Sequence, residues 1–238
     1  MLFAATGSWY FEHSESTLLI EPWNSISSLA FWIPAIFWIF KLRNEPKKYL
    51  FILACMPLLF MGGLGSALFH GFRSPEWFLL MDVLPIALLV LAITGFLWKL
   101  VLKKWIPTIL VVLAFTGLRF GVFAVSSGNI AVNMSYFISG VMIFLPAIYW
   151  LIQNRWKGAQ YFILAVIFMG ISLFFRSYDF YFGKHFLPMG SHFLWHLFSG
   201  LGALPLGAFL KTIIDLESDA EEEIEIEIEK HSLTEQVS

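Results

Sequence analysis

Two histidines, His192 and His196, stand four residues apart in the otherwise apolar run GSHFLWHLFSG, residues 190–200. Residues i and i+4 share one face of a helix, so both imidazoles can reach one point. Ser66 and His70 repeat the spacing in GSALFH, and Asp82 follows in WFLLMDVLP. Three imidazoles that leave one coordination position open are a donor set of catalytic zinc. A carboxylate beside them can exchange protons with water, and a serine hydroxyl can hold a substrate oxygen. Two plainer readings compete. The histidines can be core residues that each found a hydrogen bond, or they can bind haem, which wants its histidines on facing helices deep in a bundle. The convergence of Ser66, His70, Asp82, His192 and His196 favours the metal.

The elements that carry these groups are hydrophobic. Of the 238 residues 58% are hydrophobic and 13% charged, against about 25% charged in soluble domains. Mean hydropathy is +0.75. A soluble fold of this size could not hide that surface, whereas a membrane bundle has lipid as its outer solvent. Seven runs are long enough to span as helices: 24–41, 50–70, 77–98, 105–125, 129–152, 160–176 and 191–214. The expected fold is all-α, a seven-transmembrane helix bundle in a multi-pass integral membrane protein, in the cytoplasmic membrane if bacterial. Its alternating topology brings His70, Asp82 and the His192–His196 pair to one end. Ionisable groups inside spans are costly, so each is a functional candidate.

The turns after spans one, three and five carry nine Lys and Arg, and the opposite turns carry three. This asymmetry places the N-terminus outside and the C-terminus in the cytosol, with the histidine end facing out. Residues 1–40 hold no Lys or Arg, so the basic region of a signal peptide is missing and the first span is expected to stay. Residues 1–214 read as one embedded domain and 215–238 as an acidic, disordered cytosolic tail, in which Ile alternates with Glu. A net charge of −2 implies no nucleic-acid partner, and the lone Cys55 excludes an intrachain disulfide or a cysteine zinc site.

Four stretches in order give the chain a resemblance to the alkaline ceramidase family, within the seven-helix hydrolase superfamily that includes the adiponectin receptors. EPWNSISSLAF (21–31) resembles the family's Glu-x-x-Asn-x-x-Ser opening of the first helix. GSALFH (65–70) with Asp82 is similar to its Ser-x-x-x-His…Asp element, FRSYD (175–179) to a block of bacterial members, and GSHFLWH (190–196) to its terminal His-x-x-x-His. The resemblance spans residues 8 to about 210. It implies zinc on His70, His192 and His196, catalysis completed by Ser66 and Asp82, and hydrolysis of a ceramide-like amide to a long-chain base and a fatty acid.

Eukaryotic members also hold calcium through acidic side chains near the N-terminus, one of them the Glu of Glu-x-x-Asn, here Glu21. This chain departs there, with Ser8 where an acidic residue is expected, although Glu12 remains nearby. Arg176 and Asp179 either position polar substrate groups or pair with each other at three-residue spacing. Arg119, in the fourth span, either snorkels outward or pairs inside. The partners implied are the lipid bilayer and a lipid amide substrate. A second class stays open, a membrane receptor or sensor in which the same zinc site is mainly structural.

Overall fold

The structure is a computed structural model that describes residues 10–14, 18–73 and 76–237. Lipid offers no hydrogen bonds, so a chain this apolar must satisfy its backbone internally. Among the described residues it does so entirely with helices. Helix α1 (Pro22–Ser28), a 3-10 turn (Leu29–Phe31) and α2 (Trp32–Leu42) form the first span. Then follow α3 (Leu50–Phe72), α4 (Trp77–Leu102), α5 (Trp105–Val125), α6 (Gly128–Gln153) and α7 (Ala159–Ser177). A short α8 (Asp179–His185) leads into α9 (His192–Val237). Seven segments are long and apolar enough to cross a membrane, in the order and near the bounds expected from the sequence.

The bundle is chemically two-ended. One half is a dry core in which Trp38, Leu42, Ile52, Leu97, Leu151, Phe209 and Ile213 are all buried. Phe209 meets Trp150 and Phe162 at ring-centroid distances of 5.8 and 5.4 Å. The other half buries polar groups: Asn24, Ser27, Ser28, Ser66, His70, Ser191, His192 and His196. Large apolar side chains such as Phe40, Leu84, Leu113 and Ile163 are exposed, as lipid-facing positions should be.

The last helix differs from the sequence expectation. The acidic segment read as disordered is helical, continuing α9 without a break through Val237. Ala, Glu, Lys and Leu are strong helix formers, and extending a formed helix needs no new nucleus. At the apolar end of the bundle this helix is tied down by Asp215. Its carboxylate accepts from Tyr49 Oη at 2.6 Å and from Lys211 Nζ at 2.6 Å, and pairs with Lys48 at 3.1 Å.

One contact fixes the register of α3 against α4. A Cβ on Gly65 would fall onto the backbone of Met81 and Asp82. Only glycine permits that approach, which sets the start of α4 beside Ser66. Gly65→Ala is therefore expected to destabilise the fold by about 1–3 kcal/mol, because backbone cannot rotate out of the way. Gly95→Ala, with nothing within 4 Å of its Cβ position, is the matched control and should leave the melting temperature unchanged or slightly raised. Equal effects from the two would contradict the packing role of Gly65.

Candidate active site

The site is built from helix ends. A helix leaves its last carbonyls and first N–H groups unpaired, and in a buried setting other segments must satisfy them. At the end of α3 the carbonyls of Gly71 and His70 accept from the N–H groups of Ile20 and Glu21, at 2.8 and 3.1 Å. This backbone pairing brings the Glu21 side chain alongside His70. At the start of α9 the Asp179 carboxylate accepts from the N–H groups of Ser191 and His192, at 2.7 and 2.9 Å. A carboxylate suits that position because the helix dipole is positive there. Gly190, just before, has φ +73, and a Cβ on it would run into Asp179. At the start of α1 the Glu12 carboxylate accepts from the N–H groups of Trp23 and Asn24, at 2.7 and 2.8 Å.

Those three ends bring His70, His192 and His196 together. All three are buried, and one ligand nitrogen from each lies within 4.8 Å of the others. Ring centroids are 4.6 to 5.1 Å apart. Two of the imidazoles are braced from behind. His70 Nδ1 lies 2.5 Å from Glu21 Oε2. Glu21 also accepts from Asn24 Nδ2 at 2.9 Å and pairs with Arg73. His196 Nδ1 lies 2.9 Å from Ser27 Oγ and 3.2 Å from Ser28 Oγ.

The tautomers of both are set by their partners. An ionised carboxylate can only accept, so His70 carries its proton on Nδ1. Ser27 and Ser28 hydroxyls both lie within donating distance of the Asn24 carbonyl, at 3.1 and 2.8 Å. With their protons directed there, their oxygens accept from His196 Nδ1–H. In both rings the Nε2 lone pair is left for another partner. His192 differs: its Nδ1 is buried and has no hydrogen-bond partner. Two imidazoles oriented by hydrogen bonds on their far nitrogens, and a third with an orphaned buried nitrogen, suit a bound metal ion.

Ser66 lies one turn before His70 on the same face of α3. Its Oγ is 3.1 Å from Ser28 Oγ. The half-buried Asp82 carboxylate lies beside the Ser66 hydroxyl and within electrostatic reach of Arg176 and Arg73. The structure thus brings Ser66, His70, Asp82, His192 and His196 to one end of the bundle, as their placement in the sequence anticipated.

The remaining candidates occupy particular places. Arg176 donates from Nη1 to Tyr10 Oη at 2.9 Å and from Nε to Asn133 Oδ1 at 3.2 Å. Asp179 accepts from backbone N–H groups, so the hydrogen bonds among the described residues do not join the two to each other. Burial pushes the Asp179 carboxyl up from its ordinary range, and its three N–H donors oppose that. Glu12 and Glu21 are also pushed up, first by burial. Arg119 takes the inward alternative, with Nε donating to Ser135 Oγ at 3.0 Å. Ser8 lies outside the described residues.

Sequence reasoning missed Tyr10, which stacks on His192 at 3.5 Å between ring centroids. It also missed Ser27 as a brace for His196. Ser27 falls three residues after Asn24 within the EPWNSIS run, so the signal was present without a geometry to interpret it.

The family model described as ceramidase matches residues 11–234. The chain belongs to the ceramidase family. That membership points to a hydrolase acting on a lipid amide in a membrane setting. No curated protein matches the chain.

Proposed function

We propose that this ceramidase-family protein is a zinc-dependent intramembrane amidase. It hydrolyses a ceramide-like N-acyl lipid to a long-chain base and a fatty acid. The observation that carries the reading is the buried three-histidine cluster, with two rings oriented by partners on their far nitrogens. Imidazole ligands and a site able to keep one position open fit zinc better than the oxygen-seeking calcium or magnesium. Bound there, zinc would supply Lewis acidity toward an amide carbonyl and make water acidic near neutral pH.

The chain's own groups divide the remaining work. Asp82 accepts the proton of the attacking water at its carboxylate and later returns one to the amide nitrogen, so that the amine can leave. Ser66, between Ser28 and Asp82, orients that carboxylate. Glu21 and the Ser27–Ser28 pair hold two imidazoles in the tautomer that offers Nε2. Placement near the end of the bundle lets acyl chains remain among the helices. The nine-to-three distribution of Lys and Arg supports an outside N-terminus and a site near the outer leaflet. Residues 215–237 then form a cytosolic extension of the last helix.

A second cation is favoured by one observation. Asn24 Oδ1 is buried without a hydrogen-bond partner. Glu12 and Glu21 both contact Asn24, and the charge of Glu21 raises the cost of ionising Glu12. Carboxylate and amide oxygens are calcium donors. Both carboxyls sit above their ordinary range, so without a cation these groups cost stability as pH rises from that range through the raised values.

The tests are separate for the two ions. Asp82→Asn is expected to keep zinc and lose about a hundred- to ten-thousandfold in turnover, while His192→Ala and His196→Ala lose zinc and turnover together. Zinc stoichiometry and fatty-acid release measured on the same preparations decide it. Wild-type protein that holds zinc but releases no fatty acid from any N-acyl lipid would return the site to the structural role of a receptor. For calcium, a hundredfold excess over Kd is expected to stabilise wild-type protein by about 2.7 kcal/mol, and Asn24→Ala should abolish the shift. A wild-type melting temperature indifferent to calcium would remove the second site.

A further inference from the structure

We propose that Tyr10 is a further catalytic residue, whose phenolic O–H donates a hydrogen bond to the amide carbonyl oxygen as that oxygen gains negative charge. The proposal rests on the amidase reading and adds a group that reading does not contain.

Tyr10 is held over the histidines by its neighbours Phe11 and Glu12. Phe11 N–H donates to Asp179 Oδ2 at 2.7 Å. The Phe11 ring meets Phe180 edge-on at 6.0 Å, and a Cβ on Gly183 would collide with it. Glu12 is fixed at the start of α1. Residues 10–12 therefore form a strap across the end of the bundle, anchored at two of the helix ends that place the histidines. The Tyr10 ring lies face-on to His192, at 3.5 Å and 17° between planes. It is 5.2 Å from His70.

The phenol is placed and polarised by one cation. Arg176 Nη1 donates to the Tyr10 oxygen at 2.9 Å. Arg176 is itself fixed by Asn133 and by the Tyr136 and Trp195 rings, each 5.3 Å from its guanidinium carbon. Asn133 in turn donates from Nδ2 to Ser177 Oγ at 3.1 Å. A guanidinium can only donate, so it occupies a lone pair of the phenol and leaves the phenolic proton for another acceptor. Among the described residues no acceptor takes that proton. A hydroxyl with a cation on its oxygen is a stronger donor than a free one, since hydrogen bonds polarise one another along a chain.

Ser66 is less available for this work. Its neighbours are the Ser28 hydroxyl and the Asp82 carboxylate, and an ionised carboxylate is the better acceptor for its proton. The roles then divide between Asp82 and Tyr10. Water adds to the carbonyl carbon, the carbonyl π pair moves onto oxygen, and Asp82 takes the water's proton. Tyr10 keeps its own proton and stabilises the oxygen by hydrogen bonding. The oxygen pair then re-forms the carbonyl as the C–N bond breaks, and Asp82 returns the proton to nitrogen.

Tyr10→Phe retains the stacked ring and removes only the hydroxyl. Loss of one oxyanion donor typically costs about a hundred- to a thousandfold in kcat. That loss is expected here with KM, zinc content and melting temperature unchanged. A phosphinate analogue of the N-acyl lipid, which carries the charge of the tetrahedral species, should bind the variant more weakly by a similar factor. Binding of the uncleaved amide should not change.

Wild-type kcat in Tyr10→Phe would overturn the proposal and leave the amidase reading intact. So would a loss confined to KM, or a loss accompanied by departure of zinc or a lower melting temperature, because the hydroxyl would then be a brace. Wild-type protein unable to cleave any N-acyl lipid would overturn both.

Discussion

The hydrogen bond between His70 Nδ1 and Glu21 is the contact on which the polar half of the bundle turns. A buried carboxylate is expensive unless its lone pairs are filled, and a buried neutral imidazole also costs, though less, unless its polar nitrogens find partners. Here each solves the other's problem. Asn24 and Arg73 supply the rest of the partners that Glu21 needs. The consequence reaches beyond the pair, because Asn24 offers its carbonyl to Ser27 and Ser28, whose oxygens orient His196. Two of the three imidazoles are thus set by one short stretch, residues 21–28.

The same stretch explains why the site lies where helices begin and end. Helix termini expose unpaired N–H and C=O groups, which lipid cannot satisfy. The chain fills them with segments that also carry function. Residues 20–21 complete the end of α3, Asp179 the start of α9, and Glu12 the start of α1. The opposite half of the bundle has the simpler task of packing apolar side chains, with Phe209 and Leu97 fully buried among them. Stability and chemistry are separated along the bundle, which permits a costly polar cluster without a weak core.

Much of this was legible in the sequence, because two of the signals are local. Hydropathy over about twenty residues fixes spans without tertiary knowledge, and all seven fall where the pattern put them. The i, i+4 spacing fixes a shared helix face, which pairs Ser66 with His70 and His192 with His196. The partner choice of acidic residues resisted reading. Glu21 and Glu12 carry the charge of calcium ligands, but nothing local in the sequence says that one also braces an imidazole and the other also caps a helix. Asp179 read either as a group positioning substrate or as a partner for Arg176 at three-residue spacing, and its hydrogen bonds go to the start of α9. Tyr10 gave no signal, since an aromatic residue before the first span is unremarked until it is found against His192. The acidic tail was misread for a different reason. Its composition argues against a packed core, but a helix continued from a span needs none.

The most direct measurement of the central claim is the coordination of zinc in protein purified without added metal, read by X-ray absorption at the zinc edge. About one zinc per chain is expected, bound by three imidazoles at roughly 2.0–2.1 Å and one oxygen donor. Protein that carries no stoichiometric metal, or a spectrum without imidazole scattering, would contradict it.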